Sequence, residues 1–381
     1  MARIDMAAMI AERLVRARKD AGLKLREAAQ ALGFENYQVL SKIEKGERPV
    51  RATELVQFAR FYQRSVGYFL AQDLPTARPD VLWRGGTEAP ARKKVEQRFL
   101  TYCENYARLE ELAGRGPVEF PLRCGKKVES FDEARALGES TWRQMDLGSH
   151  PAKELRVALE ERFGVKVLVE DTVGAGSAAS AMDSFGAGIL VNMRDAPWRM
   201  NFDIAHELFH LITWGLYGSA ELQSVGKTKT IPEKFADAFA AALLLPVSSV
   251  RSAFEARLKD GVLTYAECVT MAREFGVSTP ALLYRLAGLR MVKKEEAEKA
   301  ARSDDMAKLD KTERLSDWGN RPQAGRSDRF VALAFECLQS GRLSRGRFAE
   351  LLGIHRNQID AFLFTYGYDS TKDHVVEIST P

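Results

Sequence analysis

The sequence predicts a multidomain, mainly helical protein with one mixed α+β domain in its middle. Three observations support this fold class. Apolar residues recur at helical spacing near both ends of the 381-residue chain. Short segments with strand character cluster between residues 165 and 193. The chain is also long enough to form two or three separate hydrophobic cores.

The N-terminal part, residues 1–70, is predicted to be a compact domain of short helices. The segments "MIAERLVRARKDAG" and "LREAAQALG" each end in glycine, which commonly terminates helices, and "NYQVLSKIEKG" follows the same design. Residues 71–125 are predicted to form a linker and a long helix. In that region the Pro- and Gly-rich stretch 71–86 is typical of an extended linker, and 90–113 has the pattern of an amphipathic helix.

The mixed domain is predicted to span residues 126–292. Two helices come first, then a strand at "VKVLVED", a strand pair at "SAASAMDS" and "GAGILVNM", and further helices. The highly charged segment 293–326 is predicted to be a linker or a solvated helix. Residues 327–381 are predicted to form a small C-terminal helical unit.

Composition and charge narrow the class of protein. The chain is 45% hydrophobic and 28% charged, as in ordinary globular proteins. Its four cysteines form no CxxC pair, which favours a reducing compartment. The first 20 residues lack the apolar segment of a signal peptide, and the longest apolar run is about half of a membrane span. We therefore expect a soluble, cytoplasmic protein.

The charge is unevenly distributed along the chain. Residues 1–70 contain 13 Lys and Arg against 8 Asp and Glu, an excess of +5, whereas the whole chain carries +4. Because the N-terminal domain is basic and the rest of the chain is nearly neutral, this domain is the expected binding site for any polyanion.

The stretch "FDIAHELFHLITW" contains two of the chain's five histidines, His206 and His210. Residues four apart lie on one helical face, so both imidazoles can point at one metal ion. Glu207 lies about 100° round the helix, where it can reach a water bound to the ion as a general base. The alternative is that both histidines are core residues. Chance predicts only about 0.005 such motifs in this chain, which favours the metal site.

A catalytic zinc site needs a third protein ligand and leaves one position open. The segment "PEKFADAFAAALLLP" offers Glu233 as that ligand. Asp237, one turn later on the same face, can accept the N–H of a ligating histidine. Both carboxylates could instead be surface residues, but the apolar stripe of this helix places its acidic edge along the predicted site.

These segments resemble the ImmA/IrrE family of zinc metallopeptidases, whose pattern is HExxH followed by a glutamate-led helix. The resemblance covers roughly residues 130–290. It implies a zincin-like domain with Zn²⁺ held by His206, His210 and Glu233, and with Glu207 as the general base. "GILVNMRDAPWRM" also matches the family's approach to the motif, with Arg199 in its arginine position. One departure is Phe209, where the family often has glycine.

The predicted reaction is hydrolysis of a peptide bond, in which zinc activates a water and Glu207 accepts its proton. We expect the substrate to be extended and to add a strand to the sheet near "GAGILVNM". Tyr217, Tyr265 and Arg285 are candidates for stabilising the oxyanion, although a structural role is favoured for each.

The stretch "LREAAQALGFENYQVLSKIEKGERP" resembles the helix-turn-helix of the XRE/Cro-like repressors. In that family the second helix lies in the major groove. The resemblance nominates seven DNA-contacting residues, namely Asn36, Tyr37, Gln38, Ser41, Lys42, Arg48 and Arg51. Leu25 departs from the family pattern, which commonly has a phosphate-contacting glutamine there. The alternative is a helical bundle that serves protein contacts or dimerisation.

Together the two resemblances imply a DNA-binding, site-specific zinc endopeptidase. The expected substrate is a helix-turn-helix repressor, whose cleavage releases stress, mobile-element or phage-defence genes. Single-stranded DNA is the expected activator. The main alternative is a transcription regulator whose metallopeptidase fold senses a ligand or partner without turnover. A third is an antitoxin-like interaction module.

Overall fold

The computed structural model describes residues 6–21, 23–62, 66–70, 81–85, 90–116, 120–222, 229–258, 261–314 and 326–368. Most of them are helical, with one small mixed sheet, which confirms the predicted fold class.

The N-terminal bundle has its own hydrophobic core. It contains α1 (Met6–Asp20), α2 (Leu25–Ala31), α3 (Tyr37–Glu44), α4 (Ala52–Phe61) and α5 (Val66–Leu70). Its centre is formed by fully buried apolar side chains, among them Leu14, Leu40, Ile43, Phe58 and Phe69. The guanidinium of Arg18 donates two hydrogen bonds of 2.7 Å to Glu44, which ties α1 to α3.

A four-stranded sheet forms the middle of the molecule. Its strands are β1 (Val81–Arg84), β2 (Lys166–Glu170), β3 (Ala178–Asp183) and β4 (Gly186–Asn192), in the order β1-β3-β4-β2. β3 is antiparallel to both β1 and β4, and β4 is parallel to β2. The strands predicted between residues 165 and 193 are therefore confirmed.

Two expectations about this sheet are wrong. The extended linker predicted over 71–86 contains β1, while residues 71–80 lie outside the described residues. A four-residue strand beside Pro and Gly is too short to show strand alternation in sequence. The substrate was expected to pair beside "GAGILVNM", yet this segment is β4, an inner strand with neighbours on both sides. Its backbone groups are already used, so it offers no edge.

One face of the sheet carries the largest core. α7 (Phe131–Gln144), α8 (Pro151–Glu161), α9 (Pro197–Ile212) and α11 (Ile231–Leu244) pack there. α7 and α11 approach closely at Gly138, where an added Cβ would lie 2.5 Å from the carbonyl oxygen of Phe239. α10 (Ser219–Leu222), α12 (Val247–Glu255), α13 (Tyr265–Glu274) and α14 (Thr279–Gly288) complete this part.

The opposite face is covered by α6 (Pro90–Leu112) and the C-terminal unit. That unit contains α17 (Asp328–Gln339), α18 (Arg345–Leu352), a 3-10 turn (Arg356–Gln358) and α19 (Ile359–Thr365). Glu110 on α6 accepts a hydrogen bond of 2.7 Å from Arg329 on α17 and lies 3.0 Å from the ammonium of Lys166 on β2. This buried charge cluster joins three elements that are distant in sequence.

The charged segment 293–326 is predicted to be a linker or a solvated helix. Over the described part it forms two helices, α15 (Lys294–Ala301) and α16 (Asp304–Glu313). Ala297, Ala300 and Met306 are buried against α13 and α14, so the charged residues cover only the outer faces of these helices. Residues 315–325 lie outside the described residues.

Among the residues that the structure describes, no single helix is long and apolar enough to span a membrane. The bent pair α11 and α12 (55°) passes the length and composition test only when the two are taken together.

Candidate metal centre

Helix α9 presents the HExxH residues inside the molecule. Pro197 starts the helix, where a missing backbone N–H costs no hydrogen bond. His206 and Glu207 are fully buried, and His210 is 4% exposed. Phe209, the departure from the family pattern, is fully buried and packs against Phe239 with ring centres 5.6 Å apart. The larger side chain thus fills core space between α9 and α11.

Helix α11 brings Glu233 to the two histidines. Nε2 of His206 lies 3.2 Å from Oε2 of Glu233, and Nε2 of His210 lies 3.1 Å from Oε1. The two Nε2 atoms are 3.3 Å apart. The donor atoms of His206, His210 and Glu233 are close enough together to bind one metal ion. Among the described residues, these three are the His, Cys, Asp or Glu side chains that cluster in this way.

The spacing of the three donor groups fits zinc. Donors that share a tetrahedral zinc at about 2.0–2.1 Å lie roughly 3.3–3.4 Å from one another. The observed separations of 3.1 to 3.3 Å are close to this value. Two imidazoles and one carboxylate are also the donor set of many catalytic zinc sites. The residues present therefore fit the ion that the sequence predicts.

The charge on Glu233 is strongly favoured in this environment. Burial by itself raises the pKa of its carboxyl group. Hydrogen bonds and charge from His206 and His210 outweigh burial and hold the pKa well below its usual range. An ionised carboxylate is the form that binds a metal ion.

Glu207 lies outside the donor cluster, and only one of its carboxylate oxygens has a hydrogen-bond partner among the described residues. Its Oε2 accepts a hydrogen bond of 2.7 Å from the hydroxyl of Ser180 on β3. Its Oε1 is buried and has no hydrogen-bond partner among the described residues. Burial raises the pKa of this carboxyl group, which makes it a better proton acceptor than an exposed glutamate. The carboxylate is thus held at one oxygen by Ser180 and can accept a proton at the other.

A set of charged residues surrounds His206. Its Nδ1 lies 3.0 Å from Oδ1 of Asp237, the contact that fixes the orientation of a ligating imidazole. Lys229 lies 2.5 Å from Oδ2 of Asp237, and the guanidinium of Arg84 lies 3.2 Å from Oδ1. Burial raises the pKa of Asp237, but the hydrogen bond and charge of His206, with smaller contributions from Lys229 and Arg84, lower it to about 2.

Arg84 also forms an ion pair with Asp203, which lies one helical turn before Glu207 and is fully buried. Four residues near the site are not predicted from the sequence, namely Arg84, Asp203, Lys229 and Ser180. Asp203 could have been found, because its spacing of four from Glu207 places both on one face of α9. Arg84 could not, because it lies 119 positions before Asp203 in the chain.

The remaining sequence candidates have other contacts. Arg199 is 55% exposed and lies 3.8 Å from Asp195 and Asp203. The Tyr217 hydroxyl donates to the carbonyl of Val128 at 2.8 Å. Arg285 donates to the carbonyl of Leu245 and to Glu139, which is a structural role. Tyr265 is 37% exposed at the start of α13.

The predicted DNA-contacting residues lie on or beside α3. Asn36 caps this helix by accepting a hydrogen bond of 2.9 Å from the backbone of Gln38. Most of the set is exposed, namely Asn36, Tyr37, Gln38, Lys42 and Arg51. Ser41 and Arg48 are half-buried, and Arg48 forms an ion pair of 2.7 Å with Glu54. The structure therefore leaves five of the seven side chains at the surface.

Comparisons with known proteins agree with both resemblances. Residues 160–287 match the family described as IrrE N-terminal-like domain, and residues 14–69 match a helix-turn-helix family. No curated protein sequence matches the chain. One similar solved structure is the "Crystal structure of PrgX/iCF10 complex", at 10% identity over 93% of this chain and 97% of that one. The TM-score of the two structures is 0.16. The chain thus carries a helix-turn-helix domain followed by an IrrE N-terminal-like domain of the peptidase type.

Proposed function

We propose that this protein is a cytoplasmic, zinc-dependent endopeptidase that cuts a helix-turn-helix repressor at a single site. The main support is the arrangement of three donor groups 3.1 to 3.3 Å apart beside a glutamate with one free oxygen. His206, His210 and Glu233 hold Zn²⁺, and Asp237 orients His206. A module that only senses a partner has no need for the free oxygen of Glu207.

Zn²⁺ held by His206, His210 and Glu233 would supply the Lewis-acid chemistry of the proposed reaction, namely a polarised peptide carbonyl and a water of lowered pKa. Glu207 accepts a proton at Oε1 while Ser180 holds Oε2, and the same oxygen then returns the proton to the leaving amine. The buried surroundings strengthen each of these electrostatic contacts, because the local dielectric constant is low.

The N-terminal domain brings the enzyme to DNA. Asn36, Tyr37, Gln38, Ser41 and Lys42 face the bases or phosphates from α3, and Arg48 and Arg51 bind the backbone. A repressor bound at the same operator is then at a high effective concentration near the protease. This follows from binding to the same DNA and needs no additional contact between the two proteins. Cleavage of that repressor releases stress or phage-defence genes, with single-stranded DNA as the activator.

The test combines metal analysis with cleavage assays. The purified protein is incubated with the repressor encoded at its own locus and with casein, each with and without single-stranded DNA. We expect about one zinc per chain, one cut in the repressor, and no digestion of casein. Chelation and His210→Ala should both abolish the cut. A protein that binds zinc and DNA but cuts nothing supports the alternative of a regulator without turnover.

A further inference from the structure

We propose that the outer edge of β3 is the surface on which a substrate docks, and that β1 is an internal strand that occupies this edge until a substrate replaces it. The inference rests on the proposed peptidase function and identifies the substrate-binding surface of that site. The partner it fits is an extended segment that pairs with β3 through its backbone.

Of the edges at which a peptide could pair, the outer edge of β3 is the closest to Glu207. Ser180 on β3 donates its hydroxyl to Glu207, so β3 is the strand in contact with the base. Strands lie about 4.8 Å apart, so a segment paired directly with β3 is one spacing away from it. A segment added beyond β1 would lie roughly 10 Å from β3, and one added beyond β2 roughly 14 Å. Only the first position brings a peptide backbone next to the base.

β1 occupies that first position. It pairs antiparallel with β3, with Leu82 opposite Ser180 and Arg84 opposite Ala178. Residues that are directly opposite point to the same face of a sheet. Leu82 and Arg84 therefore face α9, while Val81 and Trp83 pack in the core on the other face. β1 thus presents two side chains to the region that a bound substrate would fill.

β1 also comes from outside the peptidase-type domain. The family match covers residues 160–287, which include β2, β3, β4, α9 and α11 but not β1. Among the matched residues that the structure describes, none pairs with the outer edge of β3. The strand that covers this edge is supplied by residues between the helix-turn-helix match and the peptidase match.

Arg84 anchors β1 to the site. It forms ion pairs with Asp203 on α9 and with Asp237, which contacts His206. β1 has only four paired residues, so its backbone hydrogen bonds alone form a weak attachment. With β1 in place, Glu207 and His206 are fully buried. A base that must meet a peptide has to become accessible, and in this proposal β1 leaves the edge of β3 so that a substrate can approach Glu207.

The first experiment locks β1 covalently. Val81 and Ala181 are opposite each other on the face away from the metal centre, which suits a cross-strand disulfide. Val81→Cys and Ala181→Cys are introduced together with Cys103→Ala. The natural thiol must be removed because Cys103 lies against Gly188, the strand neighbour of Ala181. The full-length, zinc-loaded protein is assayed for repressor cleavage after oxidation with oxidised glutathione and after reduction with a phosphine.

We expect oxidation to lower cleavage at least about 100-fold with unchanged zinc content, because it removes the population in which the edge is free. Reduction should restore cleavage, and the Cys103→Ala protein should not respond to oxidation. Equal cleavage by the oxidised and reduced forms would overturn the inference while leaving the peptidase function intact. If the wild-type protein also cuts nothing, both proposals fail.

The second experiment loosens β1 and has a readout that does not depend on activity. Arg84→Gln removes the anchor, and Arg194→Gln is the matched control. Arg194 is exposed and forms an ion pair of 2.6 Å with Asp171, and neither residue belongs to β1. Arg84→Gln should speed amide hydrogen exchange of residues 178–183 and raise cleavage about 10-fold, whereas Arg194→Gln should do neither. Unchanged exchange, or loss of zinc with no gain in cleavage, would assign Arg84 a purely structural role and refute the inference.

Discussion

Glu207→Gln separates metal binding from catalysis in this site. Glutamine has the size of glutamate, and its side-chain carbonyl can still accept the 2.7 Å hydrogen bond from Ser180. The amide nitrogen then takes the place of Oε1, the oxygen without a partner among the described residues. The change therefore preserves packing and removes only the ability to accept a proton.

The expected loss of cleavage rate follows from the role of Glu207 as the general base. A positioned general base contributes about 10²- to 10⁴-fold to the rate of reaction. This range corresponds to roughly 2.7–5.4 kcal/mol of activation free energy. Zinc content should stay the same, because the donor atoms belong to His206, His210 and Glu233. The free energy of unfolding should not decrease, because a buried ionisable group is replaced by a neutral one.

The assay measures single-turnover cleavage of the repressor and zinc content on the same samples. Glu255→Gln is the matched control, since Glu255 is exposed at the end of α12. Ser180→Ala should lower the cleavage rate less than Glu207→Gln does, because Glu207 keeps its carboxylate and loses only the hydrogen bond that positions it. Cleavage by Glu207→Gln at the wild-type rate would show that another group takes the proton and would refute the mechanism.

Four further predictions concern the metal, the DNA and the buried charges. Zinc should be lost when His206, His210 or Glu233 is changed to alanine, because a catalytic zinc site needs all three ligands. Full zinc occupancy in a variant without both histidines would show that the ion binds elsewhere. Asp237→Asn should weaken zinc binding about 10- to 100-fold in competition with a chelator, because it loosens His206. Lys42 and Arg51 are exposed, and changing both to alanine should remove about two phosphate contacts. The plot of log binding constant against log salt concentration should then become less steep by about two. An unchanged slope would show that DNA binds to another surface.

The fourth of these uses pH. Burial raises the pKa of Glu160 to about 7, despite the opposing charge of Arg156 and a hydrogen bond from Ser327. A raised carboxyl pKa means that stability is highest below the unfolded pKa and falls as pH rises toward 7. The total loss is about 3 kcal/mol. Glu160→Gln should therefore raise the melting temperature at pH 8 and leave it nearly unchanged at pH 4; equal shifts at both values would show that Glu160 titrates normally.

The sequence by itself determined the parts of the site that depend on helical spacing. His206 and His210 are one turn apart on α9, as are Glu233 and Asp237 on α11, and the structure places these four side chains together. This succeeds because the local geometry of a helix is set by neighbouring residues. The helix-turn-helix and the three strands between residues 165 and 193 were predictable for the same reason.

Tertiary structure alone decided how distant segments meet. β1 covers the edge of β3, and β4 lies inside the sheet. α15 and α16 bury apolar side chains, where charge indicated a linker or a solvated helix. Arg84 reaches Asp203 across 119 positions and Asp237 across 153, which no periodicity can encode. Such contacts depend on the relative placement of whole elements. Pairing of a short strand or of single charges over that distance leaves no local pattern in the amino-acid sequence.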